Sequence, residues 1–102
     1  MLSGPVASSL FHVVGYFRPD AEARRAELHE SYGEHLSQRY PRVRLGGSLR
    51  GPAGERLGVM IVLEADSLED ARAFLDASPY HSAGLYSHVH VEQVEFEVGR
   101  MD

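Results

Sequence analysis

The 102 residues contain no cysteine. That absence removes disulfides, thiol nucleophiles and thiolate-bound metals together, and it is compatible with a reducing compartment. Long apolar runs are also missing. The longest apolar-dominated stretch is Gly58–Leu63, far short of the ~18 residues a membrane span needs, so no membrane partner is expected. Met1–Ser9 has neither the basic start nor the apolar centre of a secretory signal, and a cytoplasmic protein is expected. Positive charge is scarce: ten basic residues face fifteen acidic ones, for a net charge of −5. A nucleic-acid binder normally carries a positive field to neutralise phosphates, so that class is set aside. Internal repeats, low-complexity tracts and interdomain linkers are absent as well. A single domain over residues 1–102, with a short N-terminal tail at 1–9, is the expected organisation.

One stretch runs against the acidic balance. Between Arg39 and Arg56 lie Arg39, Arg42, Arg44, Arg50 and Arg56 against the single Glu55. Such a run can attract a small anion. It can equally be an exposed edge strand guarded by charge, with Arg42 and Arg44 pointing the same way at period two, and this second reading is preferred.

Hydrophobic periodicity orders the chain. Leu10–Phe17 is aromatic and β-branched and reads as a strand that ends at Pro19-Asp20. From Ala21 to about Arg39, Ala21, Leu28, Tyr32 and Leu36 fall on one helical stripe, with Asp20 as the expected N-cap and Pro41 marking the end. Val43–Leu49 reads as a short strand, Gly51–Gly54 as a turn and Leu57–Glu64 as a third strand. Asp66 and Ser67 open a second helix that runs through Ala77, Asp66 with Glu69 having the logic of a capping box. Ser78-Pro79 ends that helix and starts a short one, with Ser78 as N-cap. Ser87–Val98 is the last strand. Its apolar residues change phase at Glu92-Gln93, which predicts a bulge or a strand passing between two environments. Glu92, Glu95 and Glu97 read as a solvated strand face.

The order β-α-β-β-α-β is the ferredoxin-like α+β arrangement around a four-stranded antiparallel sheet. Two helices cover one face of such a sheet, yet the first and third strands are apolar on both phases. The uncovered face therefore needs a partner, and a second copy of the chain, a homodimer, is expected.

Six histidines, His12, His29, His35, His81, His88 and His90, hold most of the available proton chemistry. His29 and His35 flank the first helix's apolar stripe on opposite sides, each roughly sixty degrees from its centre, and helical phase does not choose between them. Gly33, one turn after His29, either opens space for a ligand beside the imidazole or permits close helix–sheet packing. His88 and His90 share a strand face, and His12 on the neighbouring strand is a conceivable third metal ligand. A plain polar face with titrating histidines is the preferred reading there, with no metal site. No nucleophile elbow, phosphate loop or dinucleotide fingerprint occurs.

Leu45-Gly46-Gly47-Ser48-Leu49, Gly58–Val62, Glu64–Arg72, Ser78-Pro79-Tyr80 and Ala83-Gly84-Leu85-Tyr86 closely resemble the YCII-related (YciI-like) family, over about Leu10 to Phe96. The resemblance implies a ferredoxin-like fold that pairs into a dimeric α/β barrel. It implies a histidine in the first helix and an aspartate in an Asp-Pro-Tyr motif, forming an acid–base site in a cleft. His29, followed by Tyr32 and standing eighteen residues before Gly47, matches the family histidine, whereas His35 lies too close to the turn. Ser78 stands where the family usually has aspartate, and Ser48 where it often has proline. A hydroxyl supplies no charge, so the family's acid–base pair is altered here.

The expectation is a small-molecule-binding protein without an organic cofactor. His29 and Ser78 would act as the catalytic pair, with Tyr32, Ser48 and Tyr80 against the substrate. Lyase, dehydrochlorinase-type or isomerase chemistry on a small aromatic or ring-derived metabolite is implied. The alternative is a non-catalytic ligand-binding or accessory subunit that has lost the family aspartate at Ser78.

Overall fold

The computed structural model describes residues 8–99; residues 1–7 of the expected tail lie outside the described residues. Strand β1 (Ser9–Phe17) lies inside an antiparallel sheet of order β2-β3-β1-β4, with β2 at Arg42–Arg50, β3 at Arg56–Ala65 and β4 at Tyr86–Val94. Register places Phe11 opposite Leu63 and Val13 opposite Ile61. Side chains alternate across a strand, so these residues face one side together. There they meet Phe74, Leu75, Tyr80, Leu85, Tyr86 and Val91 in the core. The α+β ferredoxin-like arrangement expected from the periodicity is the observed one.

The first helical segment is broken. Helix α1 covers Glu22–Glu27 and α2 covers His29–Leu36, separated by Leu28 at φ −96°, ψ 6°. The Leu28 N–H is shared between the Arg24 and Arg25 carbonyls, each at 3.1 Å, which tightens the turn. No apolar residue fills the stripe between Ala21 and Leu28. Arg25 takes that inward place, only 8% exposed, with both ends of its guanidinium on the Glu22 carboxylate at 2.9 Å. Ala21 is the N-cap without any side-chain bond, so Asp20 does not cap this helix.

The next helix, α3 (Leu68–Asp76), is capped by Ser67, whose Oγ accepts from the Asp70 N–H at 3.1 Å. The Asp66–Glu69 box is thus displaced by one residue, because Ser67 holds the extended backbone a cap requires (φ −153°, ψ 164°). Asp66 instead accepts from the Tyr40 hydroxyl at 2.6 Å. Ser78 does precede the short helix α4 (Pro79–Ser82), but its side chain makes no capping bond. Strand β4 shows no bulge at Glu92-Gln93: its pairing with β1 runs unbroken from Leu10↔Val94 to Tyr16↔His88 and shifts only at Tyr16/Phe17. The phase change arises because Val91 faces the core, whereas Val94 lies opposite Leu10 on the other face and the strand ends there.

Strand β2 lies on an edge of the sheet, as its arginines anticipated. Arg44 reaches across to Glu64 at 3.0 Å. The face without helices carries Leu10, His12, Val14 and Tyr16 of β1, with Met60, Val62 and Glu64 of β3 beside them. Val14 and Val62 are only 2% exposed there, while Leu45 on β2 is 51% exposed. Among the described residues no helix is long and apolar enough to cross a membrane.

Candidate functional site in the cleft between the second helix and the sheet

Breaking the helix at Leu28 puts His29 at the first position of α2, above the glycine pair of β2. Between them opens a cleft of about 380 Å³. His29, Tyr32, Gly33 and Leu36 form one wall; Gly46, Gly47 and Ser48, with Val59 and Ile61 of β3, form the other. Its volume lies in the range of small-molecule sites, ~300–1,000 Å³. His29 is exposed at its mouth and Tyr32 is half-buried within it.

Gly33 settles one of the open alternatives. A Cβ at that position would meet nothing within 4 Å, so the glycine does not serve close packing; it leaves the cleft roomy beside His29. Gly33→Ala should therefore fit and, by relieving the helix of a glycine, stabilise the fold by about 0.5–1 kcal/mol in urea unfolding. A loss of stability would contradict this placement.

Below the cleft lies a second cavity of about 20 Å³, room for roughly one water-sized group. It shares Tyr32, Leu36, Val59 and Ile61 with the cleft and adds Gly15, His35, Ser78 and Tyr86, among others. Ser78 is 3% exposed, and among the described residues its Oγ makes no well-formed hydrogen bond. The Tyr86 phenol is near enough to feel both Ser78 and Tyr32, but burial dominates and raises its pKa far above the usual phenol range. Burial, followed by the neighbouring Tyr80 phenol, pushes Tyr32 up to about 12. Both phenols are thus neutral donors at any ordinary pH. Tyr80 stands behind this wall rather than in it. It is 2% exposed, stacks on Tyr32 at 4.0 Å and 12°, and its hydroxyl accepts from Arg25 at 3.4 Å.

His35, indistinguishable from His29 by helical phase, is fully engaged. Its Nε2 lies 2.9 Å from the Phe74 carbonyl and its Nδ1 2.9 Å from the Gln38 amide nitrogen. The carbonyl can only accept and the amide nitrogen only donate, so Nε2 carries the proton and the ring clips α2 to α3. Burial lowers the His35 pKa, opposed by the Phe74 carbonyl. A depressed histidine favours the neutral form in the folded state, so its contribution is complete above the ordinary ~6.5 and shrinks as pH falls below it. Thermal unfolding from pH 7.5 to 5.5 should show a falling midpoint, with a shallower fall in His35→Gln. An equal slope in both proteins would remove this role.

The structure therefore brings His29, Tyr32 and Ser48 into one cleft, places Ser78 in the cavity beneath and Tyr80 behind Tyr32. Asp76, two residues from Ser78, is turned outward toward His81 at 4.0 Å and brings no carboxylate to the cavity. Tyr86 was missed as a site residue by sequence reasoning. The register shift at Tyr16/Phe17 brings it under Gly15, and β4 periodicity does not show that. The histidines of the open face do not converge. His12 lies opposite Glu92 with its ring 6.4 Å from His90, while His88 stacks on Tyr16 at 4.6 Å. Among the described residues no three potential metal ligands gather.

A βαββαβ sheet with one helical face and a histidine-mouthed cleft under its first helical layer defines a ferredoxin-like α+β fold. Residues 9–95 match the YCII-related domain, and the chain belongs to that family. It is 49% identical to Protein YciI of Escherichia coli O6:H1 over 35 residues, covering 34% of this chain and 36% of that protein. The same figures hold for Protein YciI of Shigella flexneri, so the matched stretch spans about a third of these curated relatives. A solved structure of 5-chloro-2-hydroxyhydroquinone dehydrochlorinase (TftG) from Burkholderia phenoliruptrix AC1100, in complex with 2,5-dihydroxybenzoquinone, matches in fold. Its TM-score is 0.78 at 22% identity, covering 86% of this chain and 95% of that one.

Proposed function

We propose that the protein binds a small hydroxylated aromatic or ring-derived metabolite in the α2–sheet cleft, and that His29 moves a proton on it. The observation that carries this reading is the cleft itself. Helix α2 and strand β2 bring His29, Tyr32 and Ser48 around a ligand-sized volume whose other walls are glycine and aliphatic surface. The flat Tyr32 phenol, backed by Tyr80, suits a ring. A dehydrochlorinase of the same fold with a dihydroxybenzoquinone supports the ligand class. The chemistry is of lyase or isomerase type and needs no organic cofactor. General acid–base catalysis by one placed histidine supplies ~10²–10⁴-fold. Ser48 and Ser78 offer neutral hydrogen bonds to ring oxygens.

A homodimer formed through the open sheet face, in the cytoplasm, completes the reading. Leu45, 51% exposed, together with the half-buried Leu10, Tyr16 and Met60 offers the apolar surface. Sedimentation at micromolar concentration should show a dimer, and a monodisperse monomer would refute it.

A second reading is favoured by one feature: among the described residues no carboxylate lines either the cleft or the cavity beneath it. With Ser78 in the family's aspartate place, the protein would be a non-catalytic binder or accessory subunit. Turnover separates the two. The enzyme converts a bound ring compound and His29→Ala stops conversion; the binder saturates without product.

A further inference from the structure

A cleft of about 600 Å³, larger than the one at His29, opens between the β1–α1 connection and the β2–β3 hairpin. Five charged side chains line it: Arg18, Arg50 and Arg56, with Glu22 and Glu55. One of the two carboxylates is paired with an arginine and the other is held by backbone. Glu22 accepts from Arg25 through both oxygens at 2.9 Å, and Glu55 accepts from the Ala53 N–H at 3.0 Å. The guanidiniums are oriented without being neutralised. Arg18 Nε donates to the Gly84 carbonyl at 3.0 Å, Arg50 Nη1 to the Gly54 carbonyl at 2.9 Å, and Arg56 Nη1 to the Ser48 hydroxyl at 3.2 Å.

A carbonyl fixes where a guanidinium points but leaves its charge and most of its N–H groups available. Among the described residues the one ion pair these three arginines make is Arg56 with Glu22, at a loose 3.9 Å. The positive field crosses the cleft: the Glu22 carboxyl is held below its usual range first by Arg25, with Arg56 and Arg50 adding to it.

All ten basic residues of the chain are arginine, the side chain whose planar fork matches oxyanions. The fold divides the arginine-rich stretch. Arg42 and Arg44 lie at the start of edge strand β2, whereas Arg50 at its end and Arg56 at the start of β3 line the cleft, where Arg18 joins them from β1's end. On a chain of net charge −5, this is a local positive site that focuses anions.

We propose that this cleft binds an oxyanion, a phosphate or carboxylate group carried on a small molecule, with Arg18 and Arg50 as the forks that grip it. The test is a titration of the full-length protein with inorganic phosphate and with succinate at low ionic strength. Amide chemical shifts provide the readout, against sodium chloride at matched ionic strength. Saturable shifts at Arg18, Arg50 and Gly54 are expected, with affinity falling at least tenfold in Arg18→Gln/Arg50→Gln and unchanged in Arg72→Gln, an exposed arginine on α3. Arg50→Gln alone, on the exposed hairpin, gives the same comparison if Arg18→Gln disturbs the Gly84 loop. Tighter phosphate binding identifies a phosphate-bearing ligand and tighter succinate binding a carboxylate; both support the site. Linear, non-saturable shifts, or equal affinity in the double variant, would overturn it, as would an equal loss in Arg72→Gln.

Discussion

Ser78→Ala should unfold at a higher temperature than the wild-type protein. The Ser78 hydroxyl is buried, makes no capping bond to α4 and, among the described residues, has at most a weak contact with the Tyr86 phenol. A poorly satisfied buried polar group costs about 1–3 kcal/mol, and alanine removes it while giving up only that weak contact. In a domain of this size each kcal/mol moves the midpoint by roughly 4–8 °C. Serine is usually a stabilising N-cap, so ordinary helix propensity predicts the reverse sign, a loss of about 1 kcal/mol. The sign of the change, read by calorimetry, is therefore decisive. A stabilised Ser78→Ala with weakened ligand binding is the pattern of a group retained for function at the expense of stability. A destabilised variant would mean that Ser78 is satisfied in solution, and its role as an open donor to the ligand would fall.

Gly15→Ala should be the most damaging small substitution near the site. A Cβ at Gly15 would run into the ring of Tyr86, which itself stacks against Phe17 at 5.5 Å and lines the inner cavity. Neither partner can retreat easily, since Gly15 is paired with both Val59 and Val89 inside the sheet. Overpacking of this kind costs about 1–3 kcal/mol. The expected result is a lower denaturant midpoint with an unchanged slope, partly rescued by Tyr86→Leu. A neutral Gly15→Ala would mean that the ring is not where the packing puts it.

Much of this architecture was legible in the residues. The aromatic and β-branched runs of β1 and β3, apolar on both phases, and the helical stripe of Leu28, Tyr32 and Leu36 were enough for the element order, and the arginines of β2 marked an edge. What escaped was set by tertiary contact. Arg25 occupies an inward position that no apolar pattern reveals, and the helix breaks beside it at Leu28. Asp66 and Ser67 are both good caps, and only backbone direction separates them. His29 and His35 are symmetric on a helical wheel. They become different because the end of α3 offers the Phe74 carbonyl to one, while the glycines of β2 leave space before the other. The family resemblance favoured His29, and the geometry supplies a physical reason for preferring it: His35 has both ring nitrogens engaged.

The central claim is that His29 and its cleft are where a ring compound binds and reacts. Its most direct test is a thermal-shift and turnover screen of wild type and His29→Ala against catechols, hydroquinones, aromatic acids and lactones. A ligand at a hundred times its dissociation constant adds ~2.7 kcal/mol, readily seen in a domain this small. The expected result is a stabilising ring compound that the wild type converts, with conversion falling ~10²–10⁴-fold in His29→Ala while the variant remains folded. A compound bound and converted equally well by both proteins would contradict it.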